Sequence, residues 1–237
     1  MRNGGADMSH PNNKYRNFKN KFPQRAALYV LALFIMAIGV VLSVRSGLGI
    51  SPFNSMCYAI ASVLRLELSV TLNLALLLCI ILQIVLLNKE FQMMNLTQIV
   101  WACLFSWFVN RSEALLDGVI VSTYAGQQLL LLISIFLIGL GIEIYMNVEL
   151  VPMPSDSLIL SISHRCGDVP YHKIKVLFDC TCVSIGIVVS LVFVGKLVGV
   201  REGTILSALL IGTVTKILRR PVIPILRRIC REGKAPC

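Results

Sequence analysis

The first long apolar run, Ala26–Val44, is followed at residues 45–54 by the sequence Arg-Ser-Gly-Leu-Gly-Ile-Ser-Pro-Phe-Asn. Two glycines and a proline in ten residues interrupt a helix, because glycine is conformationally permissive and proline disfavours the helical conformation in the residue before it. The sequence therefore predicts that the helix over the apolar run ends near Arg45. A second helix is expected to begin beyond Pro52.

A weakly similar stretch lies 102 residues further along the chain. Over residues 28–60 that shift gives seven identities in 33 positions. Apolar spans match easily by chance, so the glycine and proline matches carry the weight. Two proline-interrupted segments at corresponding positions of two halves point to the binding site in transporters built from repeats. The shift aligns three informative pairs: Gly39 with Gly141, Pro52 with Pro154, and Asn54 with Asp156.

The composition indicates an all-α integral membrane protein, since 56% of the 237 residues are hydrophobic and only 14% are charged. Crossing a hydrocarbon core takes about 20 mainly apolar residues. Four runs approach that length: Ala26–Val44, Leu68–Leu87, Leu129–Met146 and Val176–Val194. Two shorter runs reach it only with their flanks: Leu96–Val109 and Thr204–Leu218.

The net charge of +10 is concentrated in the tails. Residues 1–25 carry +5 and residues 216–237 carry +6, which leaves −1 for the middle. Basic flanks predict that both termini are cytoplasmic, and hence that the number of spans is even. This distribution favours anionic lipids as partners of both tails and argues against nucleic acid.

The segments after the two breaks, Phe53–Leu64 and Ser155–Cys166, are each twelve residues long. A helix of that length covers about 18 Å, too little to cross a core of about 30 Å. We therefore expect six transmembrane helices plus two short broken or re-entrant helices. Three full spans per half force the halves into opposite orientations, which makes the repeat inverted. If the short segments do cross, the count becomes eight and the repeat parallel.

This plan divides the chain into a polytopic membrane domain and two basic tails. In the second tail, Pro221 and Pro224 predict that no single helix continues and that the tail lies on the membrane surface. The predicted boundaries are 1–24 for the first tail, 25–218 for the membrane domain with halves at about 25–116 and 127–218, and 219–237 for the second tail.

Two stretches resemble the YczE/YitT group of small bacterial membrane proteins. They are residues 39–54, Gly-Val-Val-Leu-Ser-Val-Arg-Ser-Gly-Leu-Gly-Ile-Ser-Pro-Phe-Asn, and residues 200–212, Val-Arg-Glu-Gly-Thr-Ile-Leu-Ser-Ala-Leu-Leu-Ile-Gly. The resemblance covers most of Arg25–Leu218. It implies a multi-pass protein of the bacterial inner membrane. Because that group has no settled activity, the resemblance carries no catalytic residue to this chain.

Acidic residues inside the apolar runs are the first candidates for a site, because a charge at the bilayer centre costs about 2.5–3.5 kcal/mol on insertion scales. Glu143 lies four residues from both Gly139 and Asn147, so small and polar groups share one helical face. Asp179 lies in the run that begins at Val176. We expect both acids to face one internal polar cavity with Arg45 near its rim. The alternative is that each acid only bonds a neighbouring helix or pairs with that arginine.

Polar residues beside the two prolines form a second group of candidates: Ser51, Asn54, Ser155 and Asp156. Near a helix start such side chains either cap free N–H groups or contact a ligand. Metal binding is not expected, since His164 and His172 flank a turn and neither a helical histidine spacing nor a cysteine pair supports a zinc site. The eight cysteines lie mostly in apolar runs or in a cytoplasmic tail, and imply no disulfide framework.

No sequence signature of an enzyme is present: His-Glu-x-x-His, Gly-x-Ser-x-Gly and both phosphate-binding glycine motifs are missing. No cofactor is expected. The sequence instead predicts a small-solute transporter coupled to protons or another cation, with a small molecule or an ion as substrate. The alternative is a ligand-binding or accessory subunit that transports nothing alone. A homo-oligomer or a membrane partner fits either function.

Overall fold

A computed structural model describes residues 22–88, 93–148, 150–167, 169 and 171–230 of the chain. These residues contain no strand, so the predicted all-α class is confirmed for them. A short 3-10 helix, Met93–Leu96, precedes α4, and a π-turn, Ser190–Val194, follows α7. The α-helices of the described residues are α1 Phe22–Ser46, α2 Pro52–Leu64, α3 Leu68–Leu87, α4 Thr97–Leu115, α5 Tyr124–Asn147, α6 Pro154–Arg165, α7 Tyr171–Val189 and α8 Glu202–Cys230.

Within the described ranges, four segments are long and apolar enough to cross a membrane: Phe22–Ser46, Leu68–Leu87, Tyr124–Asn147 and Lys173–Val194. They contain the four long apolar runs, which confirms those predictions. The outer faces are apolar as well. In the fourth segment, for example, Leu177 is 64% exposed and Phe193 is 69% exposed. α4 and α8 have the length to span but are more polar, because charged residues such as Glu113 and Lys216 lie within them.

The first break lies where the glycines and the proline predict it. α1 ends at Ser46 and α2 begins at Pro52. Between them Gly47 and Gly49 have φ angles of 68° and 119°, in the region that favours glycine. Gly49 also has no room for a side chain, since a Cβ there would lie 2.8 Å from the backbone nitrogen of Thr204. The backbone itself therefore requires glycine at this point.

The second break is also present, because α5 ends at Asn147 and α6 begins at Pro154. α2 has 13 residues and α6 has 12, which correspond to lengths of about 20 and 18 Å. Proline occupies the first turn of each short helix, where its missing N–H has no intrahelical partner to lose. Both short helices were predicted with these starting points.

α1 and α5 pack against each other and run antiparallel. At one end the rings of Tyr29 and Tyr145 are 5.9 Å apart. Further along, a Cβ on Gly39 would lie 3.0 Å from the backbone oxygen of Ser134, so the two backbones approach closely. We call the end that contains Tyr29 and Tyr145 the proximal end of the bundle. The distal end is the opposite one, where Arg45 lies in the last turn of α1.

α8 packs along α5 in the parallel sense and is therefore antiparallel to α1. A Cβ on Gly203, near the start of α8, would lie 2.9 Å from the side chain of Leu131. One on Gly139 would lie 2.8 Å from the side chain of Val214. α8 thus runs from the distal to the proximal end, and its later turns lie at the same end as the start of α1.

The short helices are enclosed by long helices of the other half. α2 packs chiefly on α7, and α6 packs chiefly on α3. In the same way α4 packs on α1 of its own half, and α8 packs on α5 of its own half. The main buried core includes Tyr29, Leu33, Leu72 and Leu76, so it joins α1 to α3.

Neither short helix carries the chain across the bundle. Arg45, before α2, lines the same cavity as Glu113 of α4, and Glu67, after α2, accepts a hydrogen bond from Asn110 of α4, so the chain leaves and returns at the distal end. α6 begins beside Gln83, whose amide donates to the Pro154 carbonyl at 2.9 Å. It ends where Arg165 donates to the Leu86 carbonyl at 2.9 Å, only one turn away on α3.

Two boundaries differ from the sequence prediction. The predicted halves leave residues 117–126 as the connector between them. The observed connector is slightly shorter, because α4 ends at Leu115 and α5 begins at Tyr124. The prediction that Pro221 and Pro224 prevent one continuous helix is wrong, since both lie inside α8. Internal proline costs a helix about 3 kcal/mol or more. Burial of Leu226 in the main core, at 5% exposure, offsets part of that cost.

Candidate functional site

The two short helices begin in the interior, beside the middle of α7. Phe53, in the first turn of α2, stacks on Phe178 of α7 with 6.1 Å between ring centroids. Further into the bundle three free cysteines lie close together, namely Cys57 of α2, Cys79 of α3 and Cys182 of α7. The start of α6 reaches the same region, because the charge of its Asp156 acts on Cys79.

A cluster of three charged side chains lies there, and we call Asp156, Lys175 and Asp179 the charged triad. The ammonium of Lys175 is 3.2 Å from a carboxylate oxygen of Asp179, one helical turn away on α7. The charge of Asp156, on α6, acts on both of them. Their side chains are 36% and 18% exposed, so the pair borders on accessible space.

The charged triad contains two carboxylates and one ammonium. At membrane depth an uncompensated charge costs several kcal/mol, and acids there pair with other groups or take up a proton or cation. Phe178 lies beside the ammonium of Lys175, which is 5.8 Å from its ring centroid. These three side chains are the polar groups at which the two short helices meet α7.

Two tyrosines attach the second break to α1 and α5. The hydroxyl of Tyr29 donates to the Val151 carbonyl at 3.0 Å. The hydroxyl of Tyr145 donates to the carboxylate of Asp156. The two rings meet edge to face, so one aromatic pair holds both the backbone of the break and an acid of the charged triad.

A buried amide pair holds the start of α6 from the other side. Gln83 and Gln98 are each 1% exposed. The amide of Gln83 donates to the Pro154 carbonyl at 2.9 Å and to the side-chain oxygen of Gln98 at 3.3 Å. The amide of Gln98 donates to the Ser157 hydroxyl at 3.1 Å and back to Gln83 at 3.4 Å. Three helices, α3, α4 and α6, are thereby joined.

The candidates beside the first proline bond to each other. The amide of Asn54 donates to the hydroxyl of Ser51 at 2.9 Å. Ser51 itself makes no side-chain hydrogen bond to cap α2, and Met153 makes none to cap α6. Ser155 is half-buried in the first turn of α6. The capping interpretation of Asn54 is therefore not what the structure shows, since its amide acts as a donor to a hydroxyl.

Glu143 and Arg45 are not part of the charged triad and lie near opposite ends of the bundle. Glu143 is 4% exposed and accepts a hydrogen bond of 2.7 Å from Asn147, with the charge of Arg219 acting on it. Arg45 is at the distal end, where it donates to Asp117 at 2.7 Å. Because α1 and α5 are antiparallel, these two residues face opposite ends of the bundle. The structure thus does not bring Glu143, Asp179 and Arg45 into one cavity.

A cavity of about 410 Å³ lies at the distal end between α1, α2, α4 and the connector. Arg45 and Glu113 line it together with Tyr58 and apolar side chains of residues 119–121. Arg45 is therefore at the rim of a cavity, as expected, but the acids of the charged triad are not among the lining residues. This cavity and the charged triad are separate places in the molecule.

Four residues near the start of α6 were not among the sequence candidates: Lys175, Tyr145, Gln83 and Gln98. The spacing of Lys175 and Asp179 by one helical turn was a readable signal, but the lysine falls one residue outside the apolar run. The glutamines carried no signal, because their partners are distant in sequence. No group of three metal-binding side chains occurs within the described ranges, which include the side chain of His164 but not that of His172.

A family model described as a family of unknown function (DUF6198) matches residues 23–220. The uncharacterised protein YyaS of Bacillus subtilis (strain 168) is 27% identical over 191 residues, which cover 78% of this chain and 87% of YyaS. No solved structure matches the chain. These relatives bear out the expectation of a family without an assigned activity, while the resemblance to the YczE/YitT group in particular stays a prediction.

Proposed function

The chain belongs to the family of unknown function DUF6198, and we propose that it is a small-solute transporter driven by protons or another cation. The observation that carries the proposal is the position of the charged triad. It lies where the first turns of two short helices meet α7, inside a bundle with an apolar exterior. Transporters built from repeats bind substrate and coupling ion at such discontinuous helices.

The proposal includes six spans and an inverted repeat. A Cβ on Gly141 would lie 2.9 Å from the backbone oxygen of Ala32, and one on Gly39 would lie 3.0 Å from that of Ser134. Gly141 and Ser134 stand 102 residues after Gly39 and Ala32, so the two contacts exchange under the repeat shift. Equivalent helices that pack antiparallel support an axis in the membrane plane. A parallel repeat of eight spans would require α1 and α5 to run in the same direction.

The enclosure of the short helices supports the same arrangement. Under the repeat, α2 corresponds to α6 and α3 corresponds to α7, so the contact of α2 with α7 is equivalent to that of α6 with α3. In the same way, the contact of α4 with α1 is equivalent to that of α8 with α5. On this proposal α1, α3, α4, α5, α7 and α8 span, and α2 and α6 are re-entrant. The charged residues of α4 and α8 then face protein or water near the ends of their spans.

Location and partners follow from the charge distribution. We place the protein in the bacterial inner membrane with both termini in the cytoplasm, so the proximal end faces the cytoplasm. The basic tails contact anionic lipids. Neither nucleic acid nor a cofactor takes part, and no enzymatic activity is proposed. A homo-oligomer or a membrane partner is compatible with the exposed apolar faces.

Purified protein in liposomes tests the proposal. With a proton or sodium gradient imposed and a library of small metabolites outside, we expect uptake of at least one solute that collapses when an ionophore removes the gradient. Asp179→Asn and Asp156→Asn should each lower gradient-driven uptake at least tenfold and flatten its pH dependence. Glu143→Gln is the control, since Glu143 bonds to Asn147 away from the charged triad.

One result contradicts transport itself, and another contradicts the role of the charged triad in it. If a solute raises the melting temperature of the protein but no gradient drives its uptake, the protein is a binding or accessory subunit. If uptake occurs with an unchanged pH profile in both aspartate variants, the charged triad is a packing feature. The coupling site must then lie elsewhere.

A further inference from the structure

We propose that Gln83 and Gln98 are positioning residues that fix the first turn of α6, and with it Asp156, in the transport site. This inference rests on the proposed function in calling the site a transport site, but the position of α6 is measurable without it. Both glutamines are 1% exposed in the core of an apolar bundle. A buried amide without partners is costly, so these side chains are stabilising only while their bonds are made.

Besides a bond of 3.3 Å from Gln83 to the Cys79 carbonyl on its own helix, the bonds that the amide pair makes to other residues converge on one turn of chain. Gln83 reaches the Pro154 carbonyl and Gln98 reaches the Ser157 hydroxyl. That hydroxyl in turn donates to the Pro152 carbonyl at 3.3 Å. Asp156 lies between the two anchored residues. A displacement of α6 along its axis would therefore break every bond in this set together.

The reciprocal bonds between the two amides set their orientation. Each glutamine donates to the other, at 3.3 and 3.4 Å, so each oxygen is occupied. The Gln98 amide has its second hydrogen for Ser157, and the shortest bond of the Gln83 amide is the one to Pro154. An isolated glutamine at either position could rotate its amide freely. Together they present two donors in a fixed direction, and removal of one partner should weaken the other.

The test measures how readily a cysteine at Ser155 reacts with N-ethylmaleimide in the detergent-solubilised full chain. All eight native cysteines are replaced first, and a second protein carries the cysteine at Ser51 instead. Gln83→Leu, Gln98→Leu and the double variant are compared in both backgrounds. We expect each single variant to raise labelling at position 155 about tenfold, with little further increase in the double variant, while labelling at position 51 changes less than twofold.

Gln83→Glu provides a conservative variant in case the leucine variants do not fold. A neutral glutamic acid can still donate to the Pro154 carbonyl, but its carboxylate repels that oxygen. The ratio of labelling at position 155 to labelling at position 51 should therefore stay low in acid and rise as the pH rises. The same ratio measured with Gln83 in place corrects for the pH dependence of the two thiol reactions.

Equal changes at positions 155 and 51, or a flat ratio in Gln83→Glu, would overturn the positioning role and leave the amide pair as general core structure. The labelling result does not depend on transport. If it is as expected while wild-type liposomes show no gradient-driven uptake, the positioning inference stands and the transport proposal fails.

Discussion

At the first break the chain is held by backbone, whereas at the second break it is held by side chains. The Ile50 amide donates to the Gly199 carbonyl at 3.1 Å, and the Gly203 amide donates to the Leu48 carbonyl at 2.8 Å. At the second break the corresponding bonds come from Tyr29 and from the amide pair. The two segments, which are equivalent under the proposed repeat, are thus fixed by different chemistry.

On the proposed repeat, the difference follows from single residues at equivalent positions. Under the shift of 102 residues, Gly49 corresponds to Val151, and Gln98 corresponds to Val200 in the loop before α8. Without a Cβ at Gly49 the backbone at the start of α8 can approach directly, since such an atom would lie 2.8 Å from the Thr204 backbone nitrogen. At the second break, where valine stands in place of that glycine, long side chains from other helices bond to the backbone instead. The first break should therefore be sensitive to added atoms and the second to removed hydrogen-bonding groups.

The largest expected contrast between the breaks is their accessibility from the two membrane faces. Single cysteines at Ser51 and Ser155, in a cysteine-free background, should react with an impermeant thiol reagent from opposite sides, because α2 returns to the distal end and α6 stays near the proximal end of α3. Right-side-out and inverted vesicles measure this. A cysteine at the exposed Gly118 serves as a marker of the distal face.

Labelling of both break positions from the same side only would rule out the inverted arrangement. Labelling of the Gly118 position from the cytoplasmic side would instead reverse the assignment of the proximal end to the cytoplasm. The two outcomes are independent of each other.

Adding one methyl group to the first break should cost more stability than any single change at the second. Gly49→Ala must adopt a φ of 119° and overlap the Thr204 backbone. Backbone strain of about 1–3 kcal/mol and overpacking of about 1–3 kcal/mol predict a loss of roughly 2–6 kcal/mol in the free energy of unfolding. Thermal unfolding in detergent measures it.

Gly212→Ala is the matched control, because Gly212 lies inside α8 and a Cβ there would meet no atom within 4 Å. Alanine should stabilise that position by roughly 0.5–1 kcal/mol. A Gly49→Ala protein as stable as wild type would show that the loop before α8 can shift to accommodate a Cβ, and that the first break is not rigid.

Loss of one hydroxyl should affect the second break by a smaller amount. Tyr145→Phe removes a donor from the carboxylate of Asp156, and bonds to charged groups are worth about 1.5–3 kcal/mol. Tyr29→Phe removes a neutral bond to Val151, worth about 0.5–1.5 kcal/mol. Unfolding in denaturant should thus rank the tyrosine at 145 above the one at 29.

The control for both tyrosines is Tyr124→Phe. Tyr124 is 59% exposed, and its hydroxyl accepts a bond from Gln128. Its loss should change stability by less than about 0.5 kcal/mol. If Tyr29→Phe proves more costly than Tyr145→Phe, the backbone of the break matters more than the acid, and the second break resembles the first more closely than the contacts indicate.

Local signals account for the parts of this fold that the sequence predicted. The breaks before Pro52 and Pro154 follow from backbone chemistry in a few neighbouring residues, and the four long spans follow from runs of apolar residues. α8 was predicted to end early because its prolines act locally, whereas the burial of Leu226 that offsets them depends on distant helices. Features that depend on contacts between distant helices cannot be predicted from local sequence signals.

The candidate site was predictable only in part for that reason. Asp156 and Asp179 were recognised as polar residues in apolar surroundings, and the structure brings them together around Lys175. Glu143 gave an equally strong signal, yet its position on α5 places it beside Asn147. A sequence shows that an intramembrane acid needs a partner, but the choice of partner is decided by helix direction and depth.

The smallest expected effect concerns the side chain of Arg201, which contacts the first break from the loop before α8. Arg201 donates to the Gly47 carbonyl at 2.9 Å and pairs with Glu202 at 3.3 Å, but its side chain is 53% exposed. Exposed ion pairs contribute about 0–1 kcal/mol after screening, so Arg201→Gln should lower the free energy of unfolding by less than about 1 kcal/mol, less than Tyr145→Phe does. Raising the salt concentration should shrink the difference from wild type further. A loss of several kcal/mol that is insensitive to salt would mean that the first break, too, depends on a side chain, and the contrast between the two breaks would disappear.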